Sequence, residues 1–199
     1  MDTTRRVSVA TAILTIGLGG GVSAAPERER PAFVLEIQNR AGVREGDVDR
    51  AKVEVGRIFE DAGVGVTWAD GLDSPAGGGA PGGAGRPRRV SVLLLNITRD
   101  SQAGAEGCAL GLAVASRSTA YVFFNRLIAA TRARPVDLAL VLGRAIAHEV
   151  AHVLLPPGRH SRHGLMRAEL DFGLANPARF TREEGETLRA GLAVAIAKR

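Results

Sequence analysis

The segment Val136 to Leu155, VDLALVLGRAIAHEVAHVLL, decides how this chain of 199 residues is read. Leu138, Val141, Leu142, Ala145 and Ile146 recur at helical spacing, and Pro135 stands where the first turn of a helix tolerates a missing amide hydrogen. The segment is therefore expected to be a largely buried helix. Pro156 and Pro157 end it, because a prolyl ring disfavours helix in the residue before it, and Gly158 can turn the chain back. All four histidines of the chain fall within sixteen residues that begin on this helix: His148, His152, His160 and His163. His148 and His152 are four positions apart, so about 40° separates them around the helix axis and both imidazoles can face one cation. Glu149 points to the side of that face. From there a carboxylate can take a proton from water on a metal without displacing the water.

Two histidines and a water leave a tetrahedral zinc site one protein ligand short. His160, three residues past the end of the prolines, is the first choice for the third ligand. His163 is the second, and Glu169 and Asp171 are carboxylate alternatives further on.

The run His148-Glu149-Val150-Ala151-His152, a turn, a further histidine and then Gly164-Leu165-Met166 resembles the active-site region of the metzincin clan of zinc endopeptidases. The resemblance implies that His148, His152 and His160 hold Zn²⁺, that Glu149 is the general base acting on a zinc-bound water, and that Met166 lies in a tight turn beneath the metal. Met166 is the only methionine apart from Met1. The family pattern has glycine three residues after the second histidine and the third ligand six residues after it. Here those positions are Leu155 and Gly158, and the histidine comes two residues later, at His160. The motif-level likeness spans residues 148 to 166.

Outward from the helix, the chain alternates between strand and helix patterns. Phe33 to Gln38 reads as a strand. Asp47 to Ala62 reads as an amphipathic helix with Val48, Ala51, Val55, Ile58, Phe59 and Ala62 on one side. Val64 to Trp68, Arg88 to Thr98, Leu110 to Ser116 and Ala120 to Asn125 read as further strands, the last two joined by a tight connection. After the histidine helix, Thr181 to Ala197 reads as a helix opened by a capping box of Thr181 and Glu184. This order matches a metzincin catalytic domain. It implies an α+β fold with a twisted mixed sheet of about five strands, an upstream helix, an active-site helix and a C-terminal helix. The same likeness makes Leu110 to Ser116 the antiparallel edge strand along the cleft, where an extended peptide could pair.

The first 24 residues read as a signal peptide. Arg5 and Arg6 precede the uncharged, apolar stretch Val7 to Val22, and Val22-Ser23-Ala24 offers small residues for cleavage. That apolar stretch is short for a membrane span, and its glycines weaken that option further. The expectation is a secreted or periplasmic protein, with residues 25–199 as one catalytic domain and no stable membrane association after cleavage. Gly71 to Gly85, with seven glycines and two prolines, reads as a flexible insertion. The net charge of +5 comes almost wholly from arginine, with Lys52 and Lys198 the only lysines. The basic clusters lack interleaved stacking aromatics, which argues against a nucleic-acid partner. The expected partner is a peptide or protein substrate, bound by a monomer. Cys108 is the only cysteine, so no internal disulfide can form. It is expected to be a half-buried thiol, with approach to zinc as the alternative.

Together these readings point to an exported, zinc-dependent metallopeptidase. The competing reading is a non-catalytic zinc-binding or protein-interaction module on the same scaffold. Intact Glu149 argues against that alternative, since a purely structural metal site has no use for a carboxylate beside the water position.

Overall fold

Five strands form one mixed sheet in a computed structural model that describes residues 30–69, 87–97, 109–133, 135–157, 160–170 and 178–197. They are β1 (Ala32–Asn39), β2 (Gly65–Ala69), β3 (Arg88–Leu95), β4 (Gly111–Val114) and β5 (Thr119–Phe123), in the order β2-β1-β3-β5-β4. The first four in that order run parallel, and β4 is antiparallel to β5 at one edge. Parallel neighbours need a crossover rather than a tight turn. Helix α1 (Glu45–Asp61) supplies the one between β1 and β2.

The apolar periodicities account for the packing. Along β3, Val90, Val92 and Leu94 alternate inward and are fully buried. On α1, Val48, Ala51, Val55, Ile58 and Phe59 form the buried face. Phe59 meets Phe33 of β1 edge-on at 5.0 Å between ring centres, and Phe180 lies 5.2 Å away on another side. In a chain with so few aromatics, this cluster ties the first strand, the first helix and the entry to the last helix into one core.

Helix α3 (Leu138–Leu154) is buried at every position from Val141 to Ala151, as expected of a helix that is apolar almost all round. It touches α1, the helices α2 (Phe124–Thr131) and α4 (Arg182–Ala197), and strands β3, β4 and β5. The Asp137 side chain caps its N-terminus by accepting from the Ala139 amide at 2.9 Å, and Arg50 of α1 donates to the same carboxylate at 2.6 Å. Gly143 permits the close approach of α1. A Cβ there would stand 2.8 Å from both the Ala51 carbonyl oxygen and the Glu54 Cβ. Helix α4 (Arg182–Ala197) opens with the expected capping box: the Thr181 amide donates to Glu184 at 2.7 Å, and the Glu184 amide donates to the Thr181 hydroxyl at 3.3 Å.

The α+β class, the mixed sheet and the antiparallel edge strand agree with the sequence-based expectation. Most bounds shift by only one or two residues, but three of the expected strands end early, the one over Arg88 to Thr98 at Leu95. The strand expected over Ala120 to Asn125 stops at Phe123, and the chain passes directly into an unexpected helix, α2 (Phe124–Thr131). Phe124, Leu127 and Thr131 are its buried face at helical spacing, a period hidden when AYVFFN is taken as one apolar run. The strand expected over Leu110 to Ser116 is shorter, because Ala115–Arg117 forms a 3₁₀ turn and Ser118, at φ 50°, redirects the chain into β5. The leader, the insertion at 71–85 and Cys108 lie outside the described residues. Among the described residues, no helix is long and apolar enough to cross a membrane.

Candidate metal centre

Helix α3 carries His148 and His152 on consecutive turns and stops at Leu154, where Leu155 turns extended. The chain comes back at His160, and its return is fastened by backbone bonds. The Ser161 amide donates to the Met166 carbonyl at 2.8 Å, Ser161 bridges to Arg167, and the Leu165 amide donates to the Arg179 carbonyl at 2.7 Å. Gly164 makes this turn possible. Its φ of 77° is disfavoured for residues with a side chain, and a Cβ would lie 2.9 Å from the Arg179 carbonyl oxygen. Leu165 and Met166 are buried.

Three imidazoles meet in the space so enclosed. The Nε2 atoms of His148 and His152 are 3.1 Å apart, and those of His152 and His160 are 3.2 Å apart. Four ligands around zinc at about 2.05 Å stand roughly 3.3 Å from one another in a tetrahedron, so these two separations are those of a ligand set, and all three ligand atoms lie within 4.8 Å of one another. Protonation chemistry points the same way. The His148 Nδ1 lies 2.8 Å from the Leu165 carbonyl oxygen and must donate to it, which leaves a lone pair on its Nε2. One proton on the His152 Nε2 can be aimed at only one of its two neighbours. A single cation satisfies all three nitrogens at once. Among the described residues, these three histidines are the one group of His, Cys, Asp or Glu side chains that could hold a metal ion.

Burial tunes these groups for ligation. It is the main cause that lowers the His148 pKa, against the opposing pull of the Leu165 bond. Burial, followed by the neighbouring imidazoles, lowers His152 to about 4. Both rings are thus neutral at neutral pH, the form that binds metal.

Glu149 follows His148 on α3 and is nearly enclosed, with its carboxyl against Gly111 at the start of β4. Burial raises its pKa to about 8. No hydrogen-bond donor among the described residues holds it. In the metal-free fold it is therefore mainly protonated at neutral pH, and a cation held by the three imidazoles would favour the carboxylate, the form that can accept a proton from a water or substrate entering the site.

The other residues singled out in the sequence fall elsewhere. His163 is exposed and, with Arg144, Arg167 and Arg179, lines a separate cavity of about 400 Å³. Glu169 is exposed and outside the histidine group, and Asp171 lies outside the described residues. Met166 is buried within the turn that supports His148 through the Leu165 carbonyl. That carbonyl and Gly111 were not foreseen. A backbone oxygen leaves no trace in residue type, whereas a glycine at the second position of the expected edge strand was a visible signal.

No protein-family model matches the chain, and no curated protein matches it either. Among solved structures, the chain is similar to a zinc-dependent peptidase from Methanocorpusculum labreanum, with 15% sequence identity and a TM-score of 0.45 over 80% of this chain and 99% of that one.

Proposed function

We propose that this protein is a zinc-dependent peptidase of metzincin type, in which His148, His152 and His160 hold the ion and Glu149 is the general base. The observation that carries this reading is the convergence of three imidazoles, with the His152 Nε2 at 3.1 and 3.2 Å from the other two, and two of them on the helix that also carries a buried carboxyl engaged by no donor among the described residues. When bound, zinc would polarise a peptide carbonyl and lower the pKa of a water at its open position toward about 7. The remaining work falls to side chains. His148 is oriented by the Leu165 carbonyl, so its Nε2 keeps its lone pair toward the ion. Glu149 takes the proton of the attacking water and delivers it to the departing amine, which lets one carboxyl serve both halves of the reaction. Burial raises its pKa in the metal-free fold and the bound cation would lower it again, so the carboxyl can both take and return a proton near neutral pH.

Substrate binding follows from the sheet edge. Among the described residues β4 is bonded only to β5, on one side, so its other edge would offer backbone donors and acceptors to an extended peptide. We read the protein as an endopeptidase acting on peptides or proteins, as a monomer without a nucleic-acid partner. Residues 1–24 are proposed as an export signal, with residues 25–199 as the single secreted or periplasmic catalytic domain.

The test is a broad peptide library assayed with and without chelator. Wild-type protein carrying one zinc should cleave peptides and lose activity on chelation. Glu149→Gln should keep the metal and lose hydrolysis by about a hundredfold or more, the scale of a general base. His148→Ala should lose both. Normal cleavage by Glu149→Gln overturns the catalytic assignment, and a metal-replete wild type that cleaves nothing overturns the peptidase.

A further inference from the structure

The edge strand bears on the candidate general base more directly than through substrate. A Cβ built on Gly111 would lie 2.6 Å from the Cγ, the Cδ and the Oε1 of Glu149. Real Cβ contacts do not come this close, and three atoms of one side chain are involved. The volume that any other residue would fill at position 111 is therefore the volume occupied by the carboxyl. Glu149 is itself only 9% exposed, between His148 and Val150 on α3, so the room into which its carboxyl could turn is limited. Gly111 itself is held by the ladder, paired with Val122 of β5, and the Leu110 carbonyl beside it accepts from the Phe123 amide at 2.8 Å. Its backbone conformation is outside the left-handed region, so the glycine is not needed for a turn. Room for Glu149 is the physical reason the structure offers for a residue without a side chain at this point of a strand, where glycine otherwise weakens the element.

We propose that Gly111 is a positioning residue for Glu149: the first position of β4 is kept free of a side chain so that the carboxyl stands against the strand at a fixed place beside the three imidazoles. The inference rests on the peptidase reading for its catalytic consequence, but the contact itself does not. It deepens that reading by joining two parts of the site. The strand whose open edge would hold an extended peptide is also the wall against which the base is seated, so the base and the peptide backbone share one reference frame. The three atoms nearest to a side chain at 111 all belong to the base and none to a histidine, so the base is the group it would displace first.

The experiment is a double-mutant cycle in the full chain, with Gly111→Ala, Glu149→Ala and the combined variant. The metal-free proteins are unfolded in urea, and the zinc content of each is measured after loading. With Glu149 present, Gly111→Ala should shift the folding equilibrium about 10- to 100-fold toward the unfolded state, the range for forcing an extra methyl into a packed site. In the Glu149→Ala background, the same change should shift it less than about threefold, since the overlapping atoms are gone; the double variant also serves if Gly111→Ala alone does not fold. Gly111→Ala that folds should bind one zinc, keep its KM within about twofold and lose kcat by about tenfold or more, the split expected when only the base is displaced. An equal loss of stability in both backgrounds overturns the seat, because the defect would then lie in the strand. Coupling in the cycle with an unchanged kcat overturns the positioning role. Absence of hydrolysis in the wild type would strike the peptidase reading and leave the contact to be decided by the cycle alone.

Discussion

Replacing Glu149 by glutamine should make the metal-free protein more stable relative to wild type as the pH rises, and the structure sets the size of the effect. The carboxyl stands at about 8 in the fold, against an ordinary value of 4.5, because burial penalises its charged form. An acid whose folded pKa is raised holds its proton more tightly in the native state. Its contribution is complete below the unfolded value and is lost as the pH climbs from about 4.5 through 8, where the unfolded chain binds fewer protons. With about 1.4 kcal/mol for each tenfold change in proton affinity, wild type should lose roughly 3–4 kcal/mol between pH 5 and pH 8 from this group alone. Glutamine has the same shape and no charge to desolvate, so its profile lacks this slope. His152, lowered to about 4, contributes in the opposite sense and loses its share as the pH falls below about 6.5. It is present in both proteins and cancels in their difference. The assay is urea unfolding of both chelator-treated proteins at pH 5, 6, 7 and 8. Parallel profiles would refute the claim that the carboxyl is buried without a partner. Added zinc should shrink the difference, because a nearby dication favours the ionised carboxylate.

Three further outcomes follow from the geometry. His160→Ala should weaken zinc binding by more than the roughly 10- to 100-fold cost of losing a supporting group, and His163→Ala should leave it within a few-fold, as read by competition with a chromophoric chelator. Gly164→Ala should loosen the turn whose Leu165 carbonyl orients His148, through both the positive φ and the contact with Arg179, and reduce zinc affinity about tenfold or more. Gly143→Ala should cost about 1–3 kcal/mol in urea unfolding by forcing α1 away from α3, with zinc stoichiometry unchanged.

The elements that could be read in the sequence are those whose burial is periodic. Helix α1 showed its apolar face at i, i+3 and i+4, β3 showed alternation, and α4 showed a capping box, because each of these signals is local. Helix α2 was missed for a physical reason. Phe123 and Phe124 are adjacent apolar residues on either side of a strand-to-helix junction that no glycine or proline marks, so the period changes inside one hydrophobic run. In the candidate centre, His148 and His152 were legible because one helix fixes their separation. The contact between Gly111 and Glu149 joins residues 38 positions apart through sheet edge and helix. It becomes visible only when α3 is laid across β4 and β5.

His160 raises the question of why a histidine eight residues after His152, rather than six, can still reach the other two rings. Loop-closure entropy gives a first bound. Lengthening a closed segment from six to eight residues costs only about 0.3 kcal/mol. Against that stand the bonds that fasten the returning chain: Ser161 to Met166, Leu165 to Arg179, and His148 to the Leu165 carbonyl, each worth about 1 kcal/mol net. The anchors outweigh the length by severalfold. Where His160 stands is therefore set by the pinned segment from Ser161 to Arg167, and the number of residues between the prolines and that segment is a weak constraint. The spacing rule by which such sites are recognised counts residues along the loop, while the geometry depends on backbone bonds at its far end. A departure of two residues in the count is compatible with an unaltered ligand set for this reason.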